Sequence, residues 1–366
     1  MARQLDIGGS ERQMTEIAKT LDRSRFEPHV GCFRPEGVRG DELRAAGVPV
    51  VHFPVYSYQS PGAVRGAVQL ARYIRRNLIQ LVHTWDYPLN VFAIPVARLF
   101  TSAVAVSSQR GHRDLTPGMY VRLQRLSDRM PDAIVVNCDF LRKHLEHDER
   151  ISPGLIRVCH NGIDLEKFQP LPGARVERLR ESPLVIGTVC VLRPEKNLET
   201  LLKAFAGVRG RSPGMKLAVV GSGPELPQLQ ALANALGILD DCVFESTTEQ
   251  VADWLRSFDI FVLPSLSEAL SNSLMEAMAC GCAAVASNVG GNPELVTDGE
   301  TGLLFRAGDS DGLATALTTL IENAELRRKL AYAAQEKVRQ SFSIARSAGR
   351  MGEIYEELIR RKSGAG

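Results

Sequence analysis

Two glutamates, one on a predicted loop and one in the short helix that follows it, are the first candidates for chemistry. Glu268 and Glu276 lie in the segment Ser265–Gly281, which follows an apolar run at 259–263. The pattern predicts a strand, a loop carrying Glu268, and a helix that starts near residues 271–273 and ends at Gly281. The N–H groups and positive dipole end of such a helix form a phosphate site. Two carboxylates beside it can accept hydrogen bonds from sugar or ribose hydroxyls.

The same residues have a purely structural explanation. Ser273 and Glu276 stand three positions apart, which is the spacing of a capping box in which the glutamate only satisfies a backbone donor. Glu268 is then a solvated loop residue. Taken alone, this explanation is the stronger one.

Two cations and a glycine turn follow other predicted strands of the same half. Arg193 and Lys196 come after the apolar run 184–190 and precede a helical pattern. At the carboxyl edge of a sheet they would grip a diphosphate, although surface cations are usually only solvated. The turn Gly221-Ser-Gly223 follows the run 216–220, where a plain strand-to-helix turn is at least as good an explanation as ligand contact.

Short apolar runs alternate with amphipathic segments along the whole chain, which predicts an α/β fold with parallel sheets covered by helices on both faces. The 366 residues suffice for two such domains. Two prolines and a glycine near 168–173 mark the boundary. We predict a first Rossmann-like, doubly wound domain over 1–168, a second over 169–342, a cleft between them, and a C-terminal helix over 343–366 that crosses back to the first.

Composition excludes several classes. The net charge of +2 comes from 44 basic and 42 acidic residues, so nothing favours nucleic acid. The apolar stretch 88–106 contains two prolines and an arginine, and we interpret it as a buried helix and strand rather than a membrane span. The seven cysteines lack the spacing of a metal site and suggest reduced, cytosolic thiols.

The start of the chain departs from this pattern. Gly8-Gly9 resembles the turn after a first strand, yet the residues before it include Arg3, Gln4 and Asp6. We expect the first strand to be missing, leaving a gap in the core, and the natural start to lie upstream. A poor, short strand at 4–7 is the alternative.

The ordered motifs together resemble a known family. Arg193-Pro-Glu-Lys-Asn197, Gly221-Ser-Gly223, Glu268-x7-Glu276 and Gly290-Gly-Asn-Pro-Glu294 resemble retaining glycosyltransferases of the GT-B fold, in family 4. Gly8-Gly9 and Asn161-Gly-Ile-Asp164 fit the same family, and the resemblance extends from Ile7 to Leu358. It implies that the second domain binds a nucleoside-diphosphate (NDP) sugar and the first an acceptor.

The resemblance also implies roles for the donor side. Arg193 and Lys196 match positions that hold the diphosphate, and Glu268 matches the glutamate that contacts the donor hexose. Glu276 matches the residue that binds the ribose, and the amides around Ser273 and Leu274 would face phosphate.

Gly9 matches a glycine turn that closes on the donor from the first domain, and the Gly221 turn belongs to the donor site. No metal and no other cofactor is implied, because two cations and a helix N-terminus can stabilise the leaving group.

Other positions concern the acceptor and depart from the family pattern. His83 lies in a segment where Trp85 replaces a second histidine, and packing is as good an explanation for His83 as acceptor contact. Arg110 or His112 fits the place of an active-site residue, and the sequence does not choose between them. Ala269 replaces a usual glycine, which would crowd the sugar.

The resemblance therefore implies a metal-independent, retaining hexosyl- or N-acetylhexosaminyltransferase of cell-surface polysaccharide or glycolipid synthesis. Its partners would be an NDP-sugar and an acceptor glycan, with a lipid-linked acceptor as one form. We expect a cytoplasmic location, with peripheral contact at the inner membrane face as an alternative, since the segment 64–76 is a basic amphipathic helix. A sugar-nucleotide epimerase, a phosphorylase and a non-catalytic nucleotide-sugar-binding protein remain alternative functions.

Overall fold

The computed structural model describes residues 1–6, 8–58, 60–111, 118–171, 173 and 175–364, without the side chains of 118–122. The chain forms two compact units. The first comprises Met1–Gly162 and Ile344–Gly366, and the second comprises Ile163–Ser343. This division falls six residues before the boundary predicted at 168. Within the second unit, Arg256 donates hydrogen bonds to the carbonyls of Lys167 and Gln169, which ties the preceding segment to that unit.

The first unit alternates strands and helices. Its strands are β1 (Ala2–Gln4), β2 (Val30–Arg34), β3 (Val50–His52), β4 (Leu81–Thr84), β5 (Val104–Gln109), β6 (Ala133–Val136) and β7 (Ile156–Val158). Its first six helices are α1 (Gly9–Thr20), α2 (Val38–Ala45), α3 (Pro61–Arg76), α4 (Tyr87–Phe100), α5 (Gly118–Ser127) and α6 (Asp139–His147). The strands form two parallel groups, in the orders β1-β2-β3 and β4-β5-β6-β7.

A first strand exists, so the expectation that it is missing is wrong. β1 pairs in parallel with β2, placing Ala2 opposite Cys32 and Gln4 opposite Arg34. On its other side, the Trp85 N–H donates to the Met1 carbonyl over 3.0 Å. The Met1 amino group donates to the His83 carbonyl. β1 therefore lies centrally between β2 and β4, as the first strand of a doubly wound sheet should.

The strand is short, and a cavity of about 290 Å³ adjoins it. Side chains of α1, β2, α3 and β4 line this cavity together with Met1. The Met1 amino group is buried, and burial lowers its pKa from 8.0 to about 6.

The second unit has a six-stranded parallel sheet in the order β10-β9-β8-β11-β12-β13. Its strands are β8 (Val185–Val189), β9 (Lys216–Val220), β10 (Cys242–Glu245), β11 (Ile260–Leu263), β12 (Ala283–Ser287) and β13 (Leu303–Phe305). Its helices are α7 (Leu198–Val208), α8 (Leu226–Ala235), α9 (Val251–Arg256), α10 (Asn272–Ala279), α11 (Asn292–Leu295), α12 (Ser310–Glu322) and α13 (Ala324–Ser341). This is the strand order of a Rossmann fold.

The sheet of the second unit is covered on both faces because its strands are apolar almost throughout. All four residues of β11 are buried, as are all five of β12. α7, α8 and α12 contribute further buried side chains to the same core. Such double coverage confirms the α/β class predicted from the continuous apolar runs.

The final helix, α14 (Ile344–Lys362), belongs to the first unit. Met351, Ile354 and Leu358 are buried in the core that also contains α1 and β2 residues. On the same face, the Tyr355 hydroxyl lies 2.7 Å from Nδ1 of His83, whose Nε2 lies 2.8 Å from the Ser108 hydroxyl. The apolar face of α14 and one buried polar network thus attach the end of the chain to the sheet.

Within the described residues, no helix combines the length and the apolar character needed to span a bilayer. The stretch that resembled a span forms α4 and β5, close to the predicted bounds.

We predict that His83 makes the first unit sensitive to acid. Burial, then the Met1 and Arg110 charges, lower the pKa of His83 well below 6.5, so the fold requires the neutral ring. The contribution of His83 to stability is complete above the pKa that histidine has in the unfolded state, and it is lost progressively as the pH falls below that value. When the pH falls from 6.5 to 5, the free energy of unfolding should decrease in both proteins, and the decrease should be about 1.5 kcal/mol smaller in His83→Gln than in the parent.

The measurement is urea unfolding at both pH values in a Trp254→Phe background, which leaves Trp85 to report on the first unit. His147→Gln, at an exposed histidine of α6, is the control, and its free energy of unfolding should change with pH as much as the parent's does. If the free energy of unfolding changed equally with pH in the parent and in His83→Gln, His83 would not be the acid-sensitive group.

Candidate active site

Four loops meet at the carboxyl edge of the second unit's sheet. They follow the neighbouring strands β9, β8, β11 and β12 and carry most of the residues that the sequence singled out. Hydrogen bonds join each loop to the next. Because ligands of open parallel sheets bind at this edge, the four loops form the candidate site.

The loop after β8 carries the two predicted cations in different environments. Arg193 is exposed, with 60 % of its side chain accessible and Glu195 3.9 Å away. Lys196 points inward and forms an ion pair with Glu268. Asn197 then turns the chain into α7 from a left-handed conformation, with φ of 51°. This turn aims Lys196 at the sheet edge while Arg193 remains at the surface.

The ion pair joins two residues that lie on different loops. Burial lowers the pKa of Lys196, but the adjacent Glu268 carboxylate outweighs it, so the pKa is raised overall. The Ser265 hydroxyl donates to the same carboxylate oxygen over 2.8 Å. Lys196 therefore carries a proton at neutral pH, and both charges are positioned at the carboxyl edge. A cation and a carboxylate held in this way can bind an anion and a hydroxyl side by side.

Backbone contacts hold these two loops together. The Leu266 N–H donates to the Glu195 carbonyl over 2.8 Å. The Asn197 side chain donates to Thr200, over 2.8 Å, and to the Pro264 carbonyl, over 3.4 Å. The ion pair is thus one of several links between the ends of β8 and β11.

The start of α10 shows that the capping-box explanation of Glu276 is wrong. Ser271 is the N-cap, and its hydroxyl accepts from the Leu274 N–H over 3.3 Å. Leu274 therefore occupies the third helical position that a capping-box glutamate would need, and Glu276 lies two residues further into the helix. Ser273 lies in the first turn, 3.3 Å from the Ser271 hydroxyl. Glu276 is a buried carboxylate of this helix, with 2 % exposure.

Gly221 and Gly223 pack against the backbone of the Arg193 loop. A Cβ on Gly221, whose φ is 140°, would lie 1.9 Å from the Cys190 carbonyl oxygen. One on Gly223 would lie 2.2 Å from that of Leu192. The Leu192 N–H also donates to the Ser222 carbonyl over 3.0 Å. This turn supports the Arg193 loop through close backbone packing.

Gly290 has the same relation to the Glu268 loop. Its φ is 56°, and a Cβ there would lie 1.8 Å from the Glu268 carbonyl oxygen. The next amide, that of Gly291, donates to the Ala269 carbonyl over 2.7 Å. The glycine pair after β12 thus fixes the backbone on both sides of the Glu268–Ala269 peptide.

Sequence reasoning missed the polar residues that connect the loops. The Ser287 hydroxyl donates to the Ser265 carbonyl over 2.6 Å, and the Asn292 side chain donates to the Ser287 carbonyl over 3.0 Å. Ser265, Ser287 and Asn292 are all buried. A signal was available, since a buried serine that ends a strand requires a partner.

The remaining candidates belong to the first unit. Gly9 is the first residue of α1, after the N-cap Gly8. His83 is buried between Tyr355 and Ser108, which supports its packing role over acceptor contact. Arg110 directly follows β5 and bonds to Asn161. His112 lies outside the described residues.

Comparison with known proteins agrees with this architecture. The family model described as "Glycosyl transferases group 1" matches residues 174–337, and "Glycosyltransferase Family 4" matches 7–167. D-inositol 3-phosphate glycosyltransferase of Streptomyces scabiei is 31 % identical, over 96 % of this chain and 86 % of the relative. N-acetyl-alpha-D-glucosaminyl L-malate synthase of Bacillus anthracis is also 31 % identical, over 97 % and 95 %.

Among solved structures, Anabaena Alr3699/HepE in complex with UDP matches with a TM-score of 0.85 at 20 % identity, covering 97 % of this chain and 98 % of that one. The two Rossmann-like units thus define a protein of the GT-B fold. Within that class, the chain belongs to the family 4 glycosyltransferases and is an enzyme.

We predict that Gly290→Ala destabilises the second unit far more than Gly308→Ala. Both glycines have positive φ, 56° and 78°, but the Cβ at 308 would meet nothing within 4 Å. Gly308→Ala therefore measures backbone strain alone, about 1 kcal/mol. Gly290→Ala adds the collision with the Glu268 carbonyl.

Urea unfolding followed by Trp254 fluorescence, in a Trp85→Phe background, measures the difference. Equal losses in the two variants would show that the Glu268 loop moves aside without cost.

Proposed function

We propose that this enzyme transfers a sugar from an NDP-sugar to an acceptor hydroxyl, with retention of anomeric configuration and without a metal ion. The observation that most supports this proposal is the ion pair of Lys196 with Glu268 beside the N-terminus of α10. It supplies positive charge for a diphosphate and a carboxylate for sugar hydroxyls within one site. The complex of Anabaena HepE with UDP-glucose supports such a donor in a protein of the same fold.

In this proposal the donor side lies in the second unit. The diphosphate binds at Lys196 and the first amides of α10, around Ser273 and Leu274, with exposed Arg193 closing over it. The dipole of the eight-residue helix adds positive potential at that end. As the bond from C1 to the diphosphate breaks, charge grows on the departing oxygen, and these groups stabilise it.

The two glutamates divide the recognition of hydroxyls. Glu268 faces the hexose and Glu276 the ribose, each accepting hydrogen bonds. In the unliganded site, Glu268 neutralises Lys196. An arriving diphosphate takes over that role, and the carboxylate then becomes available to the sugar. Gly221 and Gly290 keep the two loops close enough for this exchange.

The acceptor side is assigned to the first unit, with Gly9 at the start of α1 and Arg110 after β5. The relatives named D-inositol 3-phosphate glycosyltransferase and N-acetyl-alpha-D-glucosaminyl L-malate synthase support a hydroxyl acceptor. Cell-surface polysaccharide or glycolipid synthesis in the cytoplasm is the proposed setting. A lipid-linked acceptor and peripheral membrane contact would suit α3, which exposes Val64 and Val68 among its arginines.

We predict that one of UDP, GDP or ADP raises the melting temperature without added metal. A ligand at 100 times its dissociation constant adds about 2.7 kcal/mol to the folded state, which corresponds to several degrees for a unit of this size. Glu276→Ala should abolish most of the shift, whereas Glu199→Ala, at an exposed residue of α7, should keep it. An unchanged shift in Glu276→Ala would remove that residue from the nucleotide site.

We further predict that Lys196→Ala lowers the rate of sugar transfer about 100- to 1,000-fold, as loss of one electrostatic stabiliser does elsewhere. Lys203→Ala removes an exposed lysine that pairs with Glu199 and should leave the rate unchanged. Near-normal turnover in Lys196→Ala would contradict its role at the leaving group.

The same assay tests the reaction class. Product formation should require an acceptor, persist in EDTA, and give the donor's anomeric configuration by proton NMR. Conversion of the donor sugar without an acceptor would indicate an epimerase, and a requirement for inorganic phosphate would indicate a phosphorylase.

A further inference from the structure

A guanidinium group lies at the carboxyl edge of the first unit's sheet. Arg110 immediately follows β5, Trp85 follows β4, and Asn161 comes three residues after β7. The carboxyl ends of parallel strands are where ligands of such sheets bind. Arg110 is therefore in a ligand-binding position by topology alone.

Two neighbours fix the direction of this side chain. The guanidinium carbon lies 4.5 Å from the centre of the Trp85 ring. Nη2 donates to the Asn161 side chain. Asn161 is itself held near the start of α1, because Gln13 makes two hydrogen bonds, of 2.7 and 3.0 Å, with the adjacent Gly162. Stacking on one side and a hydrogen bond on the other leave Nη1 aimed in a single direction.

Among the residues that the structure describes, no carboxylate is paired with Arg110. Nη1 is buried and has no hydrogen-bond partner among the described residues. Burial lowers the pKa of Arg110 to about 10, and the groups that oppose this are Cys159, Cys138 and Tyr355, none of them a carboxylate. Arg110 therefore stays charged at neutral pH. A buried charge without a partner is costly, and an oxyanion that binds it removes that cost.

The acidic residue next to Trp85 in the sequence is already used elsewhere. Asp86 follows Trp85, but one carboxylate oxygen accepts from the Leu89 N–H, over 3.0 Å, and the other from the Arg3 N–H, over 2.9 Å. It caps α4 and does not neutralise Arg110.

We propose that Arg110 binds an oxyanion of the acceptor, a phosphate or carboxylate group, and so selects anionic acceptors. This inference rests on the proposed transferase function. The guanidinium group forms the contact, and Trp85 and Asn161 position it. The site needs only residues of the first unit.

The first test uses stability in the absence of any acceptor. Arg110→Met keeps the apolar stem over Trp85 and removes the unpaired charge, so its melting temperature should equal or exceed the parent's. Inorganic phosphate should raise the melting temperature of the parent more than that of Arg110→Met, relative to chloride at equal ionic strength, which controls for general salt effects. Arg44→Met, at an exposed arginine paired with Asp41, should respond like the parent. A lower melting temperature in Arg110→Met with an unchanged phosphate response would overturn the proposal.

The second test uses matched acceptors with the donor nucleotide that the protein binds. The parent should prefer myo-inositol phosphate over myo-inositol and L-malate over malamide, and the two pairs distinguish phosphate from carboxylate. Arg110→Met should raise the KM for the charged acceptor at least tenfold and leave the KM for the donor unchanged. Arg110→Lys should recover part of the loss, since lysine restores charge but not the planar fork.

The two levels of the hypothesis fail in different ways. Equal use of charged and neutral acceptors by the parent, or an unchanged acceptor KM in Arg110→Met, overturns the anion site while transfer itself persists. Absence of nucleotide binding and of transfer in both proteins overturns the transferase function instead.

Discussion

The pairing of Lys196 with Glu268 is the constraint on which the second unit's site depends. Neither charge is stable alone at a largely buried position, and each is supplied by a different strand end. The pair is possible only because β8 and β11 are neighbours in the sheet, although more than 70 residues separate their loops. Strand order thus places a cation and a carboxylate at one point, and the hydrogen bonds between the loops keep them there. The site is a product of topology as much as of motif.

Much of this was predictable from the sequence, because the signals were local. Continuous apolar runs predicted most strands of the described residues, and β1 and β13 escaped. Polar residues such as Arg3 and Gln4 interrupt β1, so it has no apolar run to recognise. The motif residues Lys196, Glu268 and Glu276 were found because their types and spacing are informative on their own.

The remaining features depend on contacts that are distant in sequence. His83 was equally suited to packing or acceptor contact until its partner Tyr355, 272 residues away, was placed beside it. The capping-box error had a different cause, since Ser271 and Ser273 are both good N-caps and only the backbone geometry chooses between them. The requirement for glycine at position 290 could not be predicted either, because nothing in the sequence indicates that the Glu268 carbonyl lies against it.

The division of the chain has a consequence for its synthesis. The second unit is contiguous in sequence, and Ile163 and Ser343, at its two ends, form a β-bridge. The first unit is interrupted, and its core includes Met351, Ile354 and Leu358 from the last helix. On the ribosome, domains generally fold as units, beginning at the N-terminus. Here the order is reversed: the later unit has all of its residues while the earlier one still waits for the helix that completes it.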